Sequence, residues 1–582
     1  MSLNHPELAP APPHIIGPSW QRTVDGEWYL PERTLGWGVI EWLSKYVNTP
    51  GAHDNPQRLQ FLIQLAECGL LENEDMLVLT DEQIRLVLWW YAVDEHGKYS
   101  FREGVIRRLK GWGKDPFVAA LCLAELCGPV AFSHFDENGQ PVGKRRPAPW
   151  VTVAAVSQDQ TKNTFSLFPA MISKKLKADY GLEVNRFIIH SDGGGRLEAA
   201  TASPTSMEGN RPTFVIQNEI QWWGQGPDGK INDGIAMKEM IEGNMTKVEG
   251  ARTLSICNAH VPGTDTVGEI LHNTYQDILS GESYDYGLMY DALEAPADTP
   301  VSEIPSPKVD PEGFAAGLEK LREGVEIARG DSVWLPVDDI VKSILSPKNP
   351  ITESRRKFLN QINASEDSWI APTEWDRLAL VDPLFKLQPR QKITLGFDGS
   401  KSNDWTALVA CRVDDGMLFT LGVWDPKKYG GEIPREDVDA AVHSAFATYD
   451  VVAMRADVKE FEAYVDQWSR MYKKKLKVNA SPGHPLAFDM RGQQKRFALD
   501  CERFRDAVLE REVYHDNNKI LRSHVLNAKM HPTNYDAISI RKATKDSSHK
   551  IDAAVCAVLA FGARQDYLMS KKARSGRVVA VR

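Results

Sequence analysis

The chain has 582 residues, 42% hydrophobic and 25% charged, with a formal net charge of −10. That length exceeds what one hydrophobic core organises and predicts two large domains; no apolar run approaches the ~18 residues of a membrane-spanning helix. The negative balance argues against a protein that coats nucleic acid over its whole surface, while remaining compatible with a local basic groove.

In chain order, the first 20 residues are rich in Pro and have neither a basic start nor an apolar core, so they do not read as a secretory signal. An apolar helical stretch at 59–70 falls in an N-terminal extension, 1–74. From 75 to 330 short β-rich runs alternate with helical ones. A helix is expected at 116–127, a strand at 151–156, a helix at 161–176, strands at 187–190 and 213–217, a helix at 235–242 and a strand at 253–257. Such alternation predicts an α/β domain built on a parallel sheet. Prolines at 296, 300, 305 and 307, and again at 336, 347, 350, 372, 383 and 389, mark irregular connecting structure, with a linker expected over 331–391. A second, mixed α/β domain follows at 392–569: strands at 392–398, 406–413 and 418–424, a helix, a strand at 451–456, another helix, then long helices at 493–511 and 551–564. Residues 570–582 form a basic tail. Cys68, Cys122, Cys127, Cys257, Cys411, Cys501 and Cys556 are scattered, without metal-ligand spacing, and read as reduced buried thiols. Three basic clusters could belong to a groove or to solvated faces: Lys144 with Arg145 and Arg146, the run from Lys473 to Lys477, and the tail with Lys571, Lys572, Arg574, Arg577 and Arg582.

Residues 108–115 nearly make a phosphate-binding loop and depart from it twice. The pattern of Gly, four residues, then Gly-Lys-Ser/Thr is met by Gly113 and Lys114, but its first position is Arg108 and its hydroxyl position is Asp115. Gly111, Trp112 and Gly113 would let backbone approach an anion, Lys114 would reach the β- and γ-phosphates, and the following helix would present free N–H groups. Downstream, an apolar strand ends in Asn218 and Glu219, where an Asp and a water-activating base are expected. The two departures complement each other. A neutral hydroxyl ordinarily binds Mg²⁺ while the strand Asp orients a metal-bound water; here Asp115 and Asn218 exchange those characters and the local charge is kept. In the second domain Asp398 ends the first strand, Asp457 ends the fourth and Asp552 opens the last helix. Three such carboxylates can converge on two Mg²⁺ or Mn²⁺ ions that activate water and stabilise the leaving oxygen of a phosphodiester. Asp404, Glu460 and His549 are candidate auxiliary ligands or proton carriers, or surface polar groups.

Together these residues resemble the large terminase subunits of tailed bacteriophages, over most of 75–565. The resemblance rests on Arg108 at the head of the loop, the turn from Ser157 to Gln160, Glu219 followed by Gln221 and the two Trp, and the polar segment from Ser255 to His260. It implies a P-loop ATPase domain with a parallel-type sheet followed by an RNase H-like mixed α/β nuclease domain. It implies Glu219 as the catalytic base that activates water, Arg108 as an arginine finger with an outward salt bridge as its alternative, and Asn258 as a coupling residue. Asp115 would hold the ATP-bound Mg²⁺, and Gln83 is either an adenine-recognising residue or a Gln on a helix surface. The implied activity is ATP-driven translocation of double-stranded viral DNA into procapsids, with endonucleolytic cutting of concatemers by Asp398, Asp457 and Asp552. The implied cofactors and partners are ATP, Mg²⁺ or Mn²⁺, the portal protein, a small terminase subunit and further copies in a pentamer. The implied place is the host cytoplasm and, transiently, the procapsid portal, not the mature virion. Two other readings stay open on the residues: a helicase-like or repair ATPase fused to a nuclease, and a scaffold whose ATP site has decayed at Asp115 and Asn218.

Overall fold

The computed structural model describes residues 7–50, 76–201, 209–227, 229–346, 348–362, 368–400, 404–535, 537–542 and 550–570. The chain forms two compact units, 1–363 and 364–582. The expected linker at 331–391 is therefore divided. Its first part folds into helices Val337–Ile344 and Ile351–Phe358, whose apolar residues Ile340, Val341 and Ile344 join Leu321 and Val325 in a core of the first unit. The prolines there start helices rather than interrupt them, since Pro lacks only an N–H that the first turn leaves unbonded.

In the first unit the strands are β1 (Ile15–Ile16), β2 (Glu103–Arg107), β3 (Ala131–Phe135), β4 (Pro141–Lys144), β5 (Trp150–Ala155), β6 (Glu183–Val184), β7 (Ile188–Ser191), β8 (Gly195–Thr201), β9 (Phe214–Asn218), β10 (Arg252–Cys257) and β11 (Leu288–Leu293). Nine of them make one sheet in the order β1-β11-β2-β10-β9-β5-β8-β7-β6, and β3 and β4 form a separate hairpin. Pairs from β11 to β8 are parallel; β1, β7 and β6 add antiparallel edges. The parallel strands are buried on both faces, as helical crossovers require. One central strand escapes the hydrophobic pattern. β2 begins and ends in charge, and its Glu103 and Arg107 are buried against Lys238 and Glu294. The helix expected at 161–176 is three short ones, Gln158–Phe165, Phe168–Met171 and Lys174–Asp179. Pro169 starts the second, and the Ser173 hydroxyl caps the third by accepting the Leu176 N–H at 3.0 Å.

In the second unit β12 (Lys392–Asp398), β13 (Thr406–Arg412) and β14 (Leu418–Trp424) form an antiparallel meander, and β15 (Asp450–Ala456) adds parallel to β12. The order β14-β13-β12-β15 is the mixed sheet expected of an RNase H-like domain. Leu395 and Phe397 face one core with Val442 and Trp468; Ala407 and Val409 face the other with the long helix Asp552–Met569. That helix lies directly on β12. Thr394 Oγ1 donates to Ala560 O at 2.7 Å, and a Cβ at Gly396 would stand 1.9 Å from Cys556 O, so only glycine admits the approach. The six described cysteines are buried and unpaired, and Cys68 and the 59–70 stretch lie outside the described residues. Among those described, no helix is long and apolar enough to cross a membrane.

Candidate nucleotide and metal sites

The C-terminal ends of β2, β10 and β9 lie side by side, with Arg107 opposite Cys257 and Ile256 opposite Asn218. Ligands of open α/β sheets bind outside these ends. A cavity of about 510 Å³ opens there, lined among others by Gly111, Lys114, Asp115, Asn218, Glu219 and Asn258. Gly111 and Gly113 take the left-handed backbone, φ 91° and 97°. Two loop carbonyls are taken up by a neighbouring segment: Trp334 Nε1 donates to Gly111 O at 3.0 Å, and Ser332 Oγ to Trp112 O at 3.1 Å. Lys114 opens the helix Lys114–Cys127, and its Nζ donates back to Arg108 O (3.1 Å) and Leu109 O (3.0 Å). Burial holds this ammonium below the usual lysine range, with Glu219 and Asp115 opposing the shift. A terminal phosphate would supply the charge that the two carbonyls supply only as dipoles.

Asp115 and Asn218 meet. Asn218 Nδ2 donates to Asp115 Oδ1 at 3.0 Å and to Thr164 Oγ1 at 3.0 Å, and Thr164 Oγ1 donates to the same Asp115 oxygen at 3.0 Å. The hydroxyl missing from position 115 thus arrives on Thr164, from the helix Gln158–Phe165. Sequence reasoning had no signal for it, because only the tertiary fold closes the 49-residue separation. Asn218 Oδ1 is buried with no partner among the described residues. A carboxylate, a hydroxyl and an orphaned amide oxygen are oxygen donors of the kind hydrated Mg²⁺ takes, so the residues fit that ion. Glu219 stands in a left-handed conformation, φ 57° and ψ 47°, at the start of the turn Ile220–Trp222, and accepts from Gln221 Nε2 at 2.5 Å. Such strain in a non-glycine residue is found where a side chain must be aimed. Asn258 Nδ2 donates to Arg108 O at 2.8 Å, joining the end of β10 to the loop. Asn360, unmarked by any motif, binds three strand ends. Its Nδ2 donates to Arg107 O and Leu293 O, and its Oδ1 accepts the Ala259 N–H.

Three expectations are corrected. Arg108 does not line the cavity. Its guanidinium is fully buried, with Nε on Glu82 (2.6 Å), Nη2 on Asp291 (2.6 Å) and Nη1 on the carbonyls of Arg107 and Asp291 (3.1 and 2.9 Å), a network that neither an arginine finger nor an outward salt bridge describes. Trp112 also points inward, donating to Glu82 at 3.0 Å and packing on Phe117. Gln83 neither lines the cavity nor sits on a helix surface. It is a buried capping residue of the helix Asp81–Trp90, exchanging hydrogen bonds with Thr80.

In the second unit Asp398 ends β12, Asp457 follows β15 and Asp552 opens the last helix. The Asp457 N–H donates to Phe397 O at 2.9 Å, which ties the two strand ends, while its Oδ1 accepts N–H groups of Val458 (3.0 Å) and Met490 (3.2 Å). Burial, then the charges of Asp552, Asp457 and Asp404, raise Asp398 well above the carboxylate range. Burial also raises Asp457, and it pushes Asp552 to about 6 against the opposing charge of Lys542. Asp552 Oδ2 is buried with no partner among the described residues. Crowded carboxylates with an orphaned oxygen fit a hard divalent cation by charge and donor type. Among the described residues, however, no three His, Cys, Asp or Glu side chains are drawn to the spacing that holds one ion. Asp404 is paired with Lys542 and, at 2.8 Å, with Lys550. Glu460 lies at a left-handed position, φ 67°, and His549 and the basic tail lie outside the described residues. The basic clusters are partly used locally. Arg145 binds Asp192 and Ser191, Arg146 binds the carbonyls of Glu249 and Gly250, and Lys475 binds Phe446 O.

No family model matches the sequence. Among solved structures it is similar to the HK97 bacteriophage large terminase, with 17% identity, 91% of this chain and 100% of that chain covered, and a TM-score of 0.43. It is also similar to the large terminase of a thermophilic bacteriophage, with 11% identity, 81% and 96% covered, and a TM-score of 0.29. Two relatives are far nearer in sequence. The Gene 13 protein of Mycobacterium phage L5 is 77% identical and that of Mycobacterium phage D29 is 76% identical, each over the full length of both chains. At that identity over that length the chain belongs to the family of the mycobacteriophage Gene 13 proteins.

Proposed function

We propose that this chain is a large terminase subunit, in which the first unit hydrolyses ATP to drive double-stranded viral DNA into procapsids and the second cuts concatemeric DNA with divalent metal. The observation that carries the reading is the meeting, beside three adjacent strand ends, of Lys114, Asp115, Asn218 and Glu219 around one cavity, with Thr164 hydrogen-bonded to Asp115 and Asn218. That set is suited to phosphoryl transfer: a cation for the phosphates, oxygen donors for Mg²⁺ and a carboxylate to take the proton of an attacking water. In the second unit Asp398, Asp457 and Asp552 would hold Mg²⁺ or Mn²⁺, which would supply activation of water toward a phosphodiester. Their own contribution is a buried cluster whose mutual repulsion a bound cation relieves. Asn258 would couple turnover to movement through its bond to the loop. The portal protein, a small terminase subunit and a pentameric assembly complete the proposal, with action in the host cytoplasm at the procapsid portal.

The test uses the full chain. DNA-stimulated ATP hydrolysis should vanish in Lys114→Ala while plasmid cleavage in Mn²⁺ persists, and Asp398→Ala should show the reverse. Cleavage retained by Asp398→Ala, or hydrolysis retained by Lys114→Ala, defeats the corresponding half.

A further inference from the structure

The cavity of the first unit has a wall that no expected motif supplies. The helix Ile351–Phe358 brings Arg356 and Lys357 to its lining. Arg356 is buried, yet its partners differ from those of Arg108. Nε and Nη2 donate to Glu353 at 3.2 and 2.8 Å, Nη1 lies 3.5 Å from Ala259 O, and the guanidinium carbon stands 4.6 Å from the centre of the Trp222 ring. A guanidinium carries five N–H donors, and these contacts engage only part of that fork. Each partner belongs to the nucleotide machinery or to the helix itself. Trp222 closes the turn that begins at Glu219, and Ala259 follows Asn258 after β10. The same helix is joined to the loop, because the Lys110 N–H donates to Lys357 O at 2.8 Å.

We propose that Arg356 is the arginine that meets the terminal phosphate of the nucleotide in this chain, with Glu353 as the counter-ion that holds it when that phosphate is absent. This rests on the ATPase reading above. The physical argument is a competition between two anions for one fork. Glu353 already takes Nε and Nη2 on its two oxygens, but it carries a single charge, is about one-third exposed and is shared with Lys357, whereas a terminal phosphate inside the cavity offers more charge. Hydrolysis displaces ADP from the terminal phosphorus by water. The new P–O bond forms as the bond to the β–γ bridging oxygen breaks, ADP leaves with that electron pair, and the water's proton passes to the Glu219 carboxylate. Arg356 exchanges no proton; it neutralises charge building on the equatorial oxygens. When inorganic phosphate leaves, the guanidinium returns to Glu353, and the helix that carries it senses the state of the site. Arg108, held by Glu82 and Asp291, keeps the loop in place instead.

The full chain is assayed for ATP turnover and for affinity toward ADP and a non-hydrolysable ATP analogue, in wild type, Arg356→Ala, Arg356→Lys and Lys114→Ala. We expect Arg356→Ala to lose roughly 10³-fold in turnover. Its affinity for ADP should stay within about twofold, while the preference for the ATP analogue over ADP disappears. Arg356→Lys should keep part of that preference and little of the turnover, since an ammonium lacks the planar fork. If Arg356→Ala does not fold, the lysine variant carries the same comparison. Turnover and analogue preference that survive in both Arg356 variants, with Lys114→Ala inactive, overturn the arginine's role alone. A wild-type chain that binds neither nucleotide overturns the ATPase reading and this role with it.

Discussion

Asp115 and Asn218 hydrogen-bond at 3.0 Å, so the two positions that depart from the phosphate-loop pattern are in direct contact. Asn218→Asp alone would bury two carboxylates against each other, and Asp115→Ser alone would remove the acceptor shared by Thr164 and Asn218. We expect each single variant to hydrolyse ATP more slowly than the pair together. A double-mutant cycle on kcat should show coupling of about 0.5–3 kcal/mol; simple additivity would refute the exchange. Thr164→Val, which keeps the shape and deletes the hydroxyl, should lower Mg²⁺-dependent turnover by about tenfold, as removal of an outer partner of a metal site does. Arg108 calls for a different experiment. Its ion pairs are wholly buried, so Arg108→Ala leaves Glu82 and Asp291 without their cation and should destabilise the first unit by about 3–5 kcal/mol in chemical denaturation. Its preference between ATP analogue and ADP should be unmoved, in contrast to Arg356. Arg108 was legible as unusual, but its direction was not, because a side chain at a strand end can turn to the cavity or to the core with the same sequence.

Among the elements, the last helix and β12 set the second site. Gly396 lets Asp552–Met569 lie on the strand, so Gly396→Ala should force the helix away, costing about 1–3 kcal/mol and reducing cleavage by moving Asp552 from Asp398. The same helix start gives a pH prediction. The folded-state value of Asp552, about 6, lies above the ordinary value of ~3.9, so the native chain keeps this proton longer than the unfolded chain. The stability this contributes is present below about pH 4 and is lost as pH rises through about 6. In EDTA, the second unit should therefore lose on the order of 3 kcal/mol across that window. Asp552→Asn should reduce the loss, and Mn²⁺ should oppose it; a flat profile in the wild type would contradict the buried position of this carboxyl. The four sheet strands of this unit were readable as largely apolar runs, whereas the helix Lys519–Asn527 and the hairpin of Lys529–Pro532 with Ile538–Arg541 were not. β2 was not, because its charged ends find their partners Lys238 and Glu294 only in the fold.

At the scale of the whole molecule, two units with separate cores predict two calorimetric transitions in the full chain. ADP with Mg²⁺ should raise one and Mn²⁺ the other, each by about 2.7 kcal/mol at a hundredfold excess over Kd. A single transition moved equally by both ligands would refute independent sites. The sequence alone determined the α/β class of both units, the position of Lys114, the strand-ending Asn218 and Glu219, and the three aspartates, since strand periodicity and glycine placement are local properties of a chain. The division between the units falls inside the expected linker, whose helices 337–344 and 351–358 went unread because they are short and begin at prolines. Only the tertiary structure decided which way Arg108 points, that Thr164 supplies the missing hydroxyl to Asp115, and that Arg356 reaches the same cavity. Those facts depend on which residues distant in sequence share one buried volume, and the electrostatic cost of leaving a buried charge unpaired settles the partners there.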